Sequence, residues 1–203
     1  MRIKNLILIL CFIIFSASCG NNNEKAYKIT EVWIPMDDGI RLATDIYWPS
    51  DFKEGESYPV LLEYIPYRKD ESRGRNYPLY SYFLDHGYIV ARVDMRGTGN
   101  SEGKVIPYEY SDIELDDGEE VITWLASQNW SSGNVGMFGI SWGGFNSIQM
   151  AMRNPPALKA FVAVMATEYL YEEDVHYIDG IMVAGDSWMM SNDLYNSLPG
   201  APE

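Results

Sequence analysis

The sequence predicts an α/β protein whose sheet opens with an antiparallel hairpin and runs mostly parallel after it. Three observations carry this reading. Two strand-like runs flank Asp37-Asp38-Gly39, a turn signal. From Val60 onward, short apolar runs alternate with helix-like stretches, the pattern of a parallel sheet with crossover helices. Between Asn134 and Asn154, an apolar run with glycine breaks passes through a tight turn into a helical pattern.

Taken in order, the chain begins with a targeting segment. Arg2 and Lys4 supply positive charge, and residues 6–15 form an unbroken apolar run too short to span a bilayer. Ser16-Ala17-Ser18-Cys19 follows, so residues 1–19 resemble a bacterial lipoprotein signal in which Cys19 becomes the lipidated first residue. Ser16 stands where such signals usually carry leucine. An ordinary cleavable signal and a short anchor are the alternatives. Either way the protein is expected outside the cytoplasm: held to a membrane by its lipid, or periplasmic or secreted. Residues 20–27, with three consecutive asparagines, form a tether.

The hairpin strands cover 28–35 and 41–48, and a polar loop follows over 50–57. A short apolar strand covers 60–65 and leads into Pro66-Tyr67-Arg68-Lys69-Asp70. Residues 79–86 suit a short helix that Gly87 ends, with His86 at its C-terminus, where the helix dipole favours a cation. Another strand covers 88–93. It runs into the glycine-punctuated loop 94–103, in which Asp94, Arg96 and the glycines read as scaffold and Arg96 is expected to pair with a carboxylate. The longest helix covers 111–128, acidic at its start, with Leu115, Ile122, Leu125 and Ala126 on one face. Residues 130–133 are a turn, 134–140 a buried strand, and the next helix shows Phe145, Ile148, Ala151 and Met152 as its apolar face. Asn154 before Pro155 stops it. A last apolar strand covers 158–164, and beyond Ala166 no clean periodicity remains.

Composition narrows function. The net charge of −14 and the lack of any basic cluster argue against nucleic acid or an anionic membrane as a partner. The two cysteines, Cys11 and Cys19, both lie in the targeting segment, so the body of the protein needs no disulfide and has no catalytic thiol. No Cys/His cluster has zinc-ligand spacing, and neither a metal nor an organic cofactor is expected.

Gly139-Ile140-Ser141-Trp142-Gly143 is GxSxG between a strand and a helix. Side chains two residues either side of the serine would collide in so tight a turn, so glycine is needed there. The turn lifts Ser141 above the sheet edge as a nucleophile. The Trp142 amide and the helix N-terminus then face the place where an oxyanion would develop.

MDDGIRLATDIYWP, YIPYRK, VDMRGTGNSEG, DDGEEVITWLASQNWSSGNVGMFGISWGGFNSIQMA and NPPALKAFVAVMAT together resemble the cocaine esterase, glutaryl-acylase and Xaa-Pro dipeptidyl-peptidase family of α/β-hydrolases. The resemblance covers about residues 30 to 180. It implies an α/β-hydrolase core in which Ser141 is the nucleophile, and Trp142 (backbone N–H) and Tyr67 (phenol) form the oxyanion hole. By the same resemblance Asp174 helps bind a substrate's amino group. The acid and histidine of the family follow the serine at long range, beyond a helical cap, whereas 62 residues follow Ser141 here. Residues 28–166 are therefore expected to form the N-terminal part of the hydrolase domain, and 167–203 the start of the cap. His176 is the histidine that could substitute as base.

Two functions follow. One is a serine hydrolase of ester or amide bonds, acting on a small ester, an amide or a short Xaa-Pro peptide. The other is a truncated, catalytically inactive fragment or binding remnant that lacks the triad acid and histidine.

Overall fold

The computed structural model describes residues 27–183, apart from 72, 107, 174 and 175. The targeting segment with Cys11 and Cys19, Asp174, and the residues after 183 lie outside the described residues.

The hairpin forms as its turn signal requires. β1 (Lys28–Pro35) pairs antiparallel with β2 (Arg41–Trp48), Lys28 opposite Trp48 and Pro35 opposite Arg41. Gly39 sits at φ +86° in the turn between them, a conformation that glycine adopts without strain. β3 (Tyr58–Ile65), β4 (Ile89–Asp94), β5 (Ser131–Ile140) and β6 (Leu158–Val164) complete a six-stranded sheet in the order β1-β2-β4-β3-β5-β6. β2 meets β4 antiparallel, and every pairing from β3 onward is parallel. A small hairpin of β7 (Tyr177–Ile178) and β8 (Ile181–Met182) lies apart from this sheet.

Alternation along the strands builds two cores. Val60, Leu62 and Tyr64 of β3, Ala91 and Val93 of β4, and Val135 and Met137 of β5 pack with α2 (Asp112–Ser127) and α3 (Trp142–Arg153). Val90, Phe138 and Tyr47 point the other way and pack with Tyr80 and Leu84 of α1 (Arg73–Asp85). Helices thus cover both faces of the sheet. Among the described residues none of them is long and apolar enough to cross a membrane.

Three elements differ from expectation. α1 begins at Arg73 and carries Pro78 inside it, where the sequence suggests a start at 79. Burial of Tyr80 and Leu84 outweighs the cost of one missing backbone hydrogen bond. β5 begins at Ser131 and takes in most of the expected turn. In α3, Phe145 is buried as expected, but Met152 is 71% exposed and Met150 fully buried. The whole run Trp142–Ser147 is enclosed. The first two turns of α3 are therefore surrounded, and no single apolar stripe describes them. Asn154 ends the helix in the left-handed region (φ 54°, ψ 50°), its N–H returning to the Met150 carbonyl.

The parallel strands bring their C-terminal ends to one edge of the sheet. Ile65 lies opposite Asp94, and Ile140 opposite Val164. The loops after β3, β4, β5 and β6 therefore meet there, as they do around sites in open α/β sheets.

Candidate active site

Ser141 sits in the turn from β5 to α3 at φ 55°, ψ −124°, a backbone conformation that a serine holds only where its surroundings impose it. They do so by close approach. A Cβ on Gly139 would lie 2.4 Å from the Gly143 carbonyl carbon, and one on Gly144 would lie 2.8 Å from the Val164 oxygen. The Ser141 N–H donates to the Val164 carbonyl at 2.9 Å, and its own carbonyl accepts the Phe145 N–H at 2.9 Å. The turn is thus tied to β6 on one side and to the first turn of α3 on the other.

Tyr67 comes to the same point from the loop after β3. Its phenol donates to Ser141 Oγ at 3.3 Å and accepts the Trp142 N–H at 3.4 Å. Both contacts are long for hydrogen bonds of their kind, so an oxygen that could accept from both donors would exchange for them at small cost. Ser141, Tyr67 and Trp142, three residues singled out from the sequence, are therefore adjacent.

The Tyr67 loop is anchored from below. Arg68 has φ +62°, and its guanidinium pairs with Glu71 at 3.0 Å. Lys69 is completely buried; its backbone N–H donates to the Asp94 carboxylate, and its ammonium reaches Glu31 at 2.7 Å and Asp45 at 3.0 Å. Burial pushes the Lys69 ammonium down, but Glu31 and Asp45 more than offset this and hold it above its ordinary range. Asp94 also accepts the Asn100 N–H at 2.9 Å, and Gly99 leaves no room for a Cβ beside it, the carboxylate oxygen lying 2.1 Å from where one would stand. Burial raises the Asp94 carboxyl to about 6. Arg96 forms a two-point pair with Asp117 at 2.6 and 2.7 Å and reaches Asp38 at 2.5 Å, the carboxylate pairing expected of it.

The Trp142 side chain is buried under Tyr110, ring centroids 5.9 Å apart, and its indole N–H donates to Glu114 at 2.7 Å. Glu114 was legible only as one of several acidic residues opening α2, and Lys69 only as part of the segment 66–70 that follows a strand. No spacing marks either as buried.

Of the two histidines, His86 donates from Nδ1 to the Tyr82 carbonyl at 2.6 Å, at the end of α1. That is the N-terminal edge of the parallel strands, opposite Ser141. A cavity of about 450 Å³ opens at that same edge, lined by Leu61, Tyr82, Phe83, His86, Gly136 and Ala160. It is remote from the elbow. His176 lies in the segment after β6 and pairs through Nε2 with Glu109 at 2.6 Å, two residues before Ser111, the N-cap of α2. Among the described residues, Ser141 Oγ is thus met by Tyr67 and not by a histidine. No three His, Cys, Asp or Glu side chains among them are grouped to hold a metal ion.

Comparison with known proteins gives this geometry a context. A family profile described as X-Pro dipeptidyl-peptidase, S15 family, matches residues 38–202. The cocaine esterase of Rhodococcus sp. (strain MB1 Bresler) is 37% identical over 144 residues, covering 70% of this chain and 24% of that protein. A putative Xaa-Pro dipeptidyl-peptidase of Streptomyces avermitilis is 28% identical over 183 residues, covering 73% of this chain and 26% of that one. Among solved structures, a CocE/NonD family hydrolase from Staphylococcus aureus superposes with a TM-score of 0.69 at 26% identity, covering 81% of this chain and 32% of that one. The chain spans about a quarter to a third of the length of these relatives.

Proposed function

The chain belongs to the X-Pro dipeptidyl-peptidase (S15) family, and from that membership we propose that it is a serine hydrolase of ester or amide bonds acting through an acyl-enzyme on Ser141. One observation supports this above the rest. The Tyr67 phenol lies 3.3 Å from Ser141 Oγ and 3.4 Å from the Trp142 nitrogen, so two donors meet beside the atom that would attack.

In this reading Ser141 Oγ attacks the substrate carbonyl carbon and gives its proton to a histidine. The carbonyl oxygen becomes an oxyanion that accepts from the Tyr67 phenol and the Trp142 N–H. Collapse breaks the C–O or C–N bond, and the leaving alcohol or amine takes the proton. Water then attacks the acyl-enzyme and restores Ser141. Substrates are small esters, amides or short peptides, since the relatives named above include an esterase and a putative Xaa-Pro dipeptidyl-peptidase and the same elbow suits both. His176, in its pair with Glu109, is the base to test in this chain. The basic and apolar N-terminus supports an exported protein held to a membrane by lipid on Cys19; membrane partition that persists in Cys19→Ala would rule the anchor out.

The test is labelling with a fluorophosphonate, beside Ser141→Ala. Labelling of the parent chain alone is the expected result, and His176→Gln then asks whether that histidine takes the proton. A folded chain that takes no label would mean that these 203 residues hold the nucleophile and donors without a working base.

A further inference from the structure

The Glu114 carboxylate is fully buried in the first turn of α2, and the sequence gives it no role beyond favouring a helix start. Its surroundings give it one. Oε1 accepts the Trp142 indole N–H at 2.7 Å, and Oε2 accepts the Tyr110 backbone N–H at 2.7 Å. The Tyr64 phenol, from β3, donates to the Glu114 carbonyl at 3.1 Å, which fixes that turn of the helix against the sheet. Tyr110, held in the left-handed region at φ 55°, lays its ring on Trp142 and on Phe145. One carboxylate therefore holds the Trp142 ring through one oxygen and its aromatic cover through the other.

We propose that Glu114 is a positioning residue: by fixing the Trp142 indole and the Tyr110 cover it sets the direction of the Trp142 backbone N–H toward the site shared by Ser141 and Tyr67. The inference rests on the reading of that N–H as an oxyanion donor. Its physical basis is the short path from side chain to backbone. Trp142 is the first residue of α3, without a preceding helical turn to fix its peptide, so its ring anchor and the Ser141 turn together decide where the N–H points. An ionised carboxylate suits this task because both oxygens accept. A protonated carboxyl or an amide would turn one acceptor into a donor facing an N–H, and one of the two contacts would be lost.

Glu114 also offers the means of testing this. Burial raises its carboxyl to about 7, with the hydrogen bond from Trp142 opposing the rise and neighbouring Glu109 adding to it. The charged groups facing it are Glu109, which carries His176 on its other side, and, beyond the Tyr64 phenol, the Asp117–Arg96 pair. The experiment follows the Trp142 indole and backbone N–H resonances of the ¹⁵N-tryptophan-labelled chain from pH 5 to pH 9. Trp142→Phe assigns both signals. The expected result is that both move with one midpoint near 7, that both cease to move in Glu114→Gln, and that both still move in His176→Gln. If the indole signal titrates while the backbone signal stays fixed, Glu114 holds only a ring and the proposal falls. It falls equally if neither signal moves, or if movement disappears in His176→Gln. The titration of the parent chain needs no variant, so misfolding of Glu114→Gln leaves the question decidable. Fluorophosphonate labelling runs alongside. A parent chain that shows the coupled titration yet takes no label supports the positioning role and counts against the hydrolase reading of this chain.

Discussion

Ser141 pays for its placement with a backbone at φ 55°, which costs on the order of 1–3 kcal/mol at a non-glycine residue. The Val164 carbonyl, the Phe145 N–H and the absence of side chains at Gly139 and Gly144 hold it there. The return on that strain is that the first N–H of α3 and the Tyr67 phenol converge on one point. If that point receives an oxyanion, Tyr67→Phe removes one of two donors while leaving the ring packed. Loss of a single such donor typically costs about 10²- to 10³-fold in rate. Labelling of Ser141 by a fluorophosphonate is therefore expected to slow by that order in Tyr67→Phe, with the thermal midpoint nearly unchanged. Equal labelling of variant and parent would remove Tyr67 from the oxyanion site. The comparison is clean because the phenol's contacts to Ser141 and Trp142 are long, and losing them leaves little unsatisfied in the resting protein.

At the scale of elements, the site rests on a row of charges buried across the sheet. Asp45 of β2 is opposite Arg92 of β4, and Arg92 is opposite Glu63 of β3. Tyr80 of α1 donates to Glu63, and Lys69 closes the row by reaching Asp45 from the Tyr67 loop. Removing one member of a buried pair strands the other, at a typical cost of about 3–5 kcal/mol. Lys69→Met is expected near the lower end, because Arg73 also holds Asp45 at 2.6 Å and would keep it partly paired. Urea denaturation measures the loss, and a change under about 1 kcal/mol would mean the row does not anchor the loop. This row also marks the limit of what the sequence made legible. The hairpin, the parallel order and β6 follow from turn residues and apolar runs, because those reflect local geometry and burial on a sheet. Ser141 and Trp142 follow from glycine spacing, and Tyr67 from the family resemblance. Lys69, Glu63, Arg92 and Glu114 do not follow, because a charged residue looks solvated until its partner is known, and these partners (Asp45 for Lys69, Glu63 and Arg92 for each other, Trp142 for Glu114) are 24 or more residues away in sequence. The start of α1 was hidden for a related reason: Pro78 signals a break locally, and only the packing of Tyr80 and Leu84 overrules it.

For the whole molecule, the buried carboxyls set the response to pH. Burial raises Glu114 to about 7 from 4.5 and Asp94 to about 6 from 3.8, and it raises Asp117 as well. A carboxyl that holds its proton more tightly when folded stabilises the fold fully below its unfolded value. That contribution fades as pH rises through the folded value. At roughly 1.4 kcal/mol per pH unit, ionising Glu114 inside the fold withdraws about 3 kcal/mol between pH 4.5 and 7. Surface carboxylates such as Asp38 and Glu102 act with the opposite sign. Hydrogen bonds from Arg96 and Arg41 hold them below their ordinary values, so their contribution is lost only as pH falls below about 4. Repulsion among the excess acidic groups, with a net charge of −14 at pH 7, adds to the loss on the neutral side. The thermal midpoint is therefore expected to peak between about pH 4 and 5 and to fall steadily toward pH 7.5. Glu114→Gln cannot ionise, so its midpoint should fall less steeply over that interval, whatever its absolute stability. Parallel curves for the two proteins would show that Glu114 does not titrate in the fold. A shallower curve for the variant would show that the carboxylate the site uses is one the fold would rather keep protonated, so that stability and an ordered Trp142 are favoured at opposite ends of the same pH range.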